Sequence, residues 1–226
     1  MNLGRILWAI AAYVAGMSAV SLAAFTRRGR AALAAANRNS SEADAHILLR
    51  DNLGFGWMVL FATVDVMKAG LYPLAARAFG DLPDSWTALV GFVLVTGYAF
   101  PLFFRATAGR GLAGAAGVQL ALLPIPMVIG GLVILLGMLV HRTGPASTLG
   151  FAVIPIAAAI QGQPAPYIVM ACGLLGLIVV RRLEGVSVAA ARWGWPLALW
   201  RRLVFDQDLP AEPLAEGIGG REAPQA

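Results

Sequence analysis

Long apolar runs, separated by short breaks, set the pattern of the chain. They extend from Ile6 to Phe25, Phe55 to Phe79, Trp86 to Phe104, Leu112 to Leu123, Met127 to Val140, Leu149 to Ile160 and Ala165 to Val180. A bilayer core about 30 Å thick takes roughly 20 helical residues to cross, so the longer runs read as spans. The fourth and sixth are short and are expected to be shielded or to extend into neighbouring polar residues. Only a helix satisfies its own backbone groups in hydrocarbon, so each run is predicted to be helical. Pro83, Pro124, Pro126, Pro145 and Pro164 fall where the runs break. The pattern predicts an all-α membrane bundle of seven transmembrane helices, forming one membrane-embedded domain over residues 1–205. Within it, residues 186–205 place Trp193, Trp195 and Trp200 beside Arg192, Arg201 and Arg202, the composition of an interfacial helix on the inner leaflet. Residues 206–226, rich in Pro, Gly, Glu and Ala, are expected to form a disordered cytoplasmic tail.

Composition sharpens this. Hydrophobic residues make up 59 % of the 226 positions and charged residues 13 %, too little polar surface to cover a soluble domain. The mean hydropathy is +0.74. Leu3 to Phe25 is followed by arginines and reads as a first span, not a cleaved signal. Arginines gather on one side of the predicted bundle: Arg27, Arg28, Arg30, Arg38 and Arg50 after the first run, Arg105 and Arg110 after the third, Arg142 after the fifth, and Arg181 and Arg182 after the seventh. The breaks at Gly80 to Ser85, Pro124 to Pro126 and Gln161 to Pro164 hold no Lys or Arg. The positive-inside rule then places the amino terminus outside and the carboxyl terminus in the cytoplasm. The net charge of +5 is accounted for by anionic lipid headgroups, and no nucleic-acid partner is expected because the arginines sit at span ends. Cys172 is the one cysteine, which excludes a disulfide framework and a cysteine-rich metal site, and it reads as a small buried hydrophobe. His46 and His141 have no partner at ligand spacing, so no metal and no cofactor is expected.

Four features carry candidate chemistry. Thr107 to Ala113 leads from a loop into a helix with Gly109 and Gly111 flanking Arg110, an arrangement in which backbone N–H groups and a guanidinium can meet a phosphate. The alternative is a loop whose arginine sets topology. Asp65 and Lys68, three residues apart inside a span, fall near one helix face. Charges at that depth are costly unless paired, so they read either as a functional pair or as a clamp between spans. The stretch with Asn37, Asn39, Ser40, Ser41, Glu42, Asp44, His46 and Arg50 is the most polar of the connections between spans, able to hold a phosphate or simply to be solvated. Arg181, Arg182 and Glu184 close the last span, with the arginines read as snorkelling anchors.

In order, these residues resemble a known family. Gly97, Tyr98, Ala99, Phe100, Pro101, Leu102 and Phe103, then Gly109, Arg110, Gly111, Leu112 and Ala113, with Gly117 beyond, are similar without a gap to the signature G-H-x-F-P-x-F-x-x-F-x-G-G-K-G-V-A-T-x-x-G. That signature belongs to the bacterial membrane acyl-phosphate:glycerol-3-phosphate acyltransferases, the PlsY family. Asp65 and Lys68 also meet the family's D-x-x-K. The chain departs from the signature at Tyr98 for His, Ala108 for Gly, Arg110 for Lys and Gly114 for Thr. The first family motif, G-S-G-N-x-G-A-T-N-x-x-R, is met by Ser41 when counted back from Gly54, with Arg50 one position out of register. The third, near R-x-R-E-N-I-x-R-L, is met at Arg181 and Glu184, with Gly185 in place of Asn.

The resemblance implies transfer of an acyl group from acyl phosphate to the 1-hydroxyl of glycerol 3-phosphate in phospholipid biosynthesis. The products are lysophosphatidic acid and phosphate, and the setting is a multi-pass protein of the bacterial inner membrane. Acyl phosphate is a mixed anhydride with a good leaving group, so the site needs cations, backbone donors and orientation more than a strong base. On this reading Ser41, Arg50 and Arg110 are catalytic. Gly109, Gly111 and Glu184 bind substrate phosphate, and Asp65, Lys68, Gly97 and Pro101 support the site. The substituted motifs keep open an inactive or altered-substrate homologue that acts as a lipid-binding or interaction subunit. A small transporter is a further class, with neither an internal repeat nor further buried charges in its favour.

Overall fold

The computed structural model describes residues 3–17, 53–102, 111–140, 142–183 and 186–204. Among these residues every regular element is an α-helix: α1 Leu3–Met17, α2 Phe55–Gly80, α3 Asp84–Ala99, α4 Leu112–Leu122, α5 Pro124–Leu139, α6 Thr143–Ile160, α7 Ala165–Leu183, α8 Val186–Trp193 and α9 Trp195–Val204. α2 and α7, of 26 and 19 residues, are long and apolar enough to cross a membrane, while α1, α4, α5 and most of α6 form shorter apolar helices. α4 has 11 residues and at 1.5 Å per residue spans only about 16 Å, so it crosses little more than half of a bilayer core by itself. Leu71, Leu132, Leu136, Ile156 and Val169 stand more than half exposed. An apolar surface that extensive is suited to hydrocarbon.

Small residues decide which helices meet. In lipid the helices gain nothing by hiding apolar side chains from water, so close backbone packing has to hold them together. α1 lies mainly on α3, α2 on α4, and α5 on α6. At each crossing a glycine faces backbone. A Cβ on Gly16 would overlap the Leu94 carbonyl, and one on Gly97 the Tyr13 carbonyl. On Gly117 it would overlap the Val66 carbonyl, and Gly70 faces the Gly117 carbonyl in turn. Gly130 and Gly150 each face the other's carbonyl, where a Cβ would stand 2.6 Å away. α7 then packs across α3 and α6 and closes the bundle over Leu94, Val118, Ile154 and Leu174, all fully buried.

Several sequence expectations change in detail. α6 starts at Thr143, six residues before its apolar run, because Ser147 and Thr148 turn inward to a buried arginine. Arg182 is 2 % exposed, donates from Nη1 to the Gly144 carbonyl at 2.9 Å and also bonds Thr148 Oγ1 and Ser147 Oγ. It is therefore a buried tie between α6 and α7 and not a snorkelling anchor. Cys172 is exposed on α7, not buried. Residues 186–204 form two helices, since Gly194 with φ 81° breaks the expected single one. Most of the first run's second half, residues 18–25, lies outside the described residues. At the far end of the bundle Tyr167 donates to Asp84 Oδ1 at 2.6 Å, and Arg77 lies 3.6 Å from the same oxygen, tying α2, α3 and α7 together.

Candidate active site

The described signature residues occupy the end of the bundle where α3 stops and α4 starts. Pro101 is the reason α3 stops, because the residue before a proline is pushed out of helical geometry. Phe100 accordingly has φ −131° and ψ 67°, and its carbonyl accepts the Tyr13 hydroxyl at 2.6 Å. The guanidinium of Arg181 lies 5.2 Å from the centre of the Phe100 ring, a cation–π contact that brings the end of α7 to the same point. Gly97 one turn earlier is needed for the α1 crossing, which sets where Phe100 and Pro101 come out.

Gly111 opens α4 with φ 75°, a left-handed conformation that favours glycine. A Cβ there would also meet Val95 Cγ1 at 3.3 Å and Ala99 Cβ at 3.6 Å, so the start of α4 sits directly on the end of α3. Residues 103–110 lie outside the described residues. The first turn of a helix offers backbone N–H groups without intrahelical partners, and α4 presents such a turn after its glycine.

Asp65 and Lys68 come from α2. The ammonium lies 3.8 Å from Asp65 Oδ1; Asp65 is 2 % exposed, while Lys68 keeps a quarter of its side chain open. Tyr98, at the end of α3, donates its hydroxyl to the Asp65 backbone carbonyl at 3.2 Å, and Lys68 Nζ stands 4.8 Å from the centre of the Tyr98 ring. The structure therefore places Asp65 and Lys68 against Tyr98 and Gly111 against Val95 and Ala99, all contacts of the helix whose end carries Gly97 and Pro101. Ser41, Arg50, Gly109, Arg110 and Glu184 lie outside the described residues. Gly109 and Arg110 precede Gly111 in the chain, and Glu184 follows Leu183. A separate cavity of about 470 Å³ lies between the first halves of α3 and α7, lined by Ser85, Phe92, Ala165, Val169, Met170 and Gly173 among others. It has no charged side chain in its lining and no means of holding a phosphate.

Residues 6–188 match the sequence profile of the family described as glycerol-3-phosphate acyltransferase. The chain belongs to that family. The glycerol-3-phosphate acyltransferase 4 of Dehalococcoides mccartyi is 32 % identical over 123 residues, 54 % of this chain and 66 % of that protein. The glycerol-3-phosphate acyltransferase of Pseudomonas syringae pv. tomato is 31 % identical over 127 residues, 56 % of this chain and 65 % of the relative. The chain thus spans just under two thirds of the length of these curated relatives. The fold is that of PlsY, an integral membrane protein. The crystal structure of its glycerol 3-phosphate form superposes with a TM-score of 0.68 at 22 % identity, covering 84 % of this chain and 93 % of that one.

The contacts of three residues at this end escaped the sequence reading. Tyr13 shows there only as one more aromatic in an apolar run, and its bond to Phe100 joins residues 87 positions apart. Arg182 looks like any arginine at a span end. Tyr98 registers only as a departure from the family signature, with no hint that its ring would be shared by α2, α3 and α4.

Proposed function

We propose that this protein transfers an acyl group from acyl phosphate to the 1-hydroxyl of glycerol 3-phosphate, giving lysophosphatidic acid and inorganic phosphate. Family membership over residues 6–188 carries this reading. The hydroxyl oxygen attacks the acyl carbonyl carbon, the bond from that carbon to the phosphate oxygen breaks, and the hydroxyl proton leaves with phosphate or to solvent. Such a reaction chiefly requires two anions held side by side with the hydroxyl near the carbonyl. In this proposal Arg110 binds one phosphate from the start of α4, aided by the backbone at Gly109 and Gly111. Arg50 binds the second phosphate, Ser41 hydrogen-bonds substrate or the developing oxyanion, and Glu184 completes the substrate contacts. Asp65, Lys68, Gly97 and Pro101 hold the scaffold.

The working topology has seven spans, the amino terminus outside and the site facing the cytoplasm, in the inner membrane of a bacterium. Residues 1–205 form the catalytic domain, with α8 and α9 on the inner leaflet, and residues 206–226 form a tail. Membrane lipids are the surrounding partners. The test is to purify the protein in detergent and supply glycerol 3-phosphate with acyl phosphate, or with an acyl thioester in parallel. Lysophosphatidic acid formed from acyl phosphate supports the proposal. No product under conditions where a curated relative is active would overturn it. A second reading, an acyl acceptor other than glycerol 3-phosphate, is favoured by one observation: the side chain at position 98 is turned into the bundle onto Asp65. Replacing glycerol 3-phosphate by other small polyol phosphates separates the two.

A further inference from the structure

Tyr98, on α3, is 3 % exposed and touches both α2 and α4. Its hydroxyl is bonded to the Asp65 carbonyl of α2 at 3.2 Å, and Lys68, one turn along α2, stands 4.8 Å over its ring. On the other side the ring lies against Gly114 in the first turn of α4. A Cβ on Gly114 would come within 2.9 Å of Tyr98 Cδ2 and 3.2 Å of Cε2 and Cγ. Aromatic ring atoms fixed at both ends cannot give way by that amount, so the ring and any side chain at 114 compete for one space. These are two positions at which the chain departs from the family signature, Tyr98 for His and Gly114 for Thr.

We propose that Tyr98 is a positioning residue, coupled to Gly114 as one unit, which sets the end of α3, the start of α4 and Lys68 relative to one another. Its effect on substrate rests on the acyltransferase reading above. The two helix ends it joins, at Ala99 and Gly111, pack on each other, so a change in the ring shifts one against the other. The consequence falls on phosphate binding, because Gly111 and the first turn of α4 move with Gly114. Tyr98 is not a catalytic residue in this account, since its hydroxyl is bonded to the Asp65 carbonyl.

The experiment is a double-mutant cycle on the full chain in detergent: wild type, Tyr98→His, Gly114→Thr and the two together, with Gly114→Ala as a smaller second probe and Tyr98→Phe as the conservative one. Two quantities are read, the thermal midpoint without substrate and the kinetics with acyl phosphate and varied glycerol 3-phosphate. Gly114→Thr or Gly114→Ala alone should lower the midpoint and raise KM for glycerol 3-phosphate about tenfold, with kcat changed less than about threefold. Tyr98→Phe, which keeps the ring, should preserve the midpoint closely and raise KM less. Y98H/G114T should recover, its loss being at least about fivefold smaller than the product of the single losses. A plain folding role would lower apparent kcat through the inactive fraction and leave KM unmoved, which would overturn the proposal. So would independent effects of the two single changes. If wild type forms no lysophosphatidic acid, the acyltransferase reading fails separately, and the midpoints still decide the coupling: additive shifts refute it and mutual compensation upholds it.

Discussion

Arg181 and Arg182 are neighbours in the chain, yet they meet different environments. Arg182 is enclosed among the Gly144 carbonyl and the Ser147 and Thr148 hydroxyls, whereas Arg181 lies over the Phe100 ring. Removing a buried cation strands the groups that bonded it, so Arg182→Ala should cost on the order of 3 kcal/mol. Arg181→Ala should cost less, because Arg181 is only partly buried and Arg182 is fully enclosed. Thermal unfolding in detergent compares the two, and equal effects would refute the distinction. A hydropathy pattern sees only neighbours along the chain and makes the two arginines equivalent; their difference comes from α6, more than 30 residues earlier. Arg110 allows the reverse inference, from sequence to site. If it binds substrate phosphate, Arg110→Ala should lower activity by roughly two orders of magnitude, with normal membrane yield. Arg110→Lys should retain much of it if the glycines hold the family geometry, and lose it if the contact depends on a bidentate guanidinium.

The helices themselves were largely legible from apolar runs, because hydrocarbon imposes helical structure on any run that crosses it. Their ends were less so. α3 stops at Ala99, short of the run's end at Phe104, because Pro101 overrides hydropathy. α6 starts early, because Ser147 and Thr148 find their partner inside the bundle. Which helices pair was hidden as well, since the glycines at the crossings look the same in sequence as Gly131 and Gly176, which have open space around them. That contrast makes a test: Gly117→Ala should sharply reduce folded yield, because its methyl group would strike the Val66 backbone, while Gly131→Ala should leave yield unchanged. The Asp65 and Lys68 pair also belongs at this scale, since it lies on the helix that α4 covers. Removing either charge alone should lower folded yield, and removing both should restore part of it. Additive losses would argue against a pair.

At the scale of the whole molecule, the family and its fold were readable from signature residues in order, and the described part of the site follows that order at Gly97, Pro101 and Gly111. The long-range ties at Tyr13, Tyr98 and Arg182 were not, because each depends on which helices become neighbours. Orientation is the expectation most directly open to experiment. In a Cys172→Ser background, a cysteine at Asp84 should react with an impermeant thiol reagent from outside and a cysteine at Arg38 should not. The opposite result would put the proposed site in the wrong compartment. The interleaved pairing of α1 with α3 and α2 with α4 bears on how such a chain is made. Synthesis runs from the amino terminus, so α1 and α2 enter the membrane before the partners that best fit them exist. Until α4 emerges, the Gly70 face of α2 is held by something other than this protein, whether lipid or the insertion machinery. A chain truncated after residue 99 therefore has one of these two crossings completed and should be cleared by membrane quality control. A chain truncated after residue 123, with both crossings made, should persist longer.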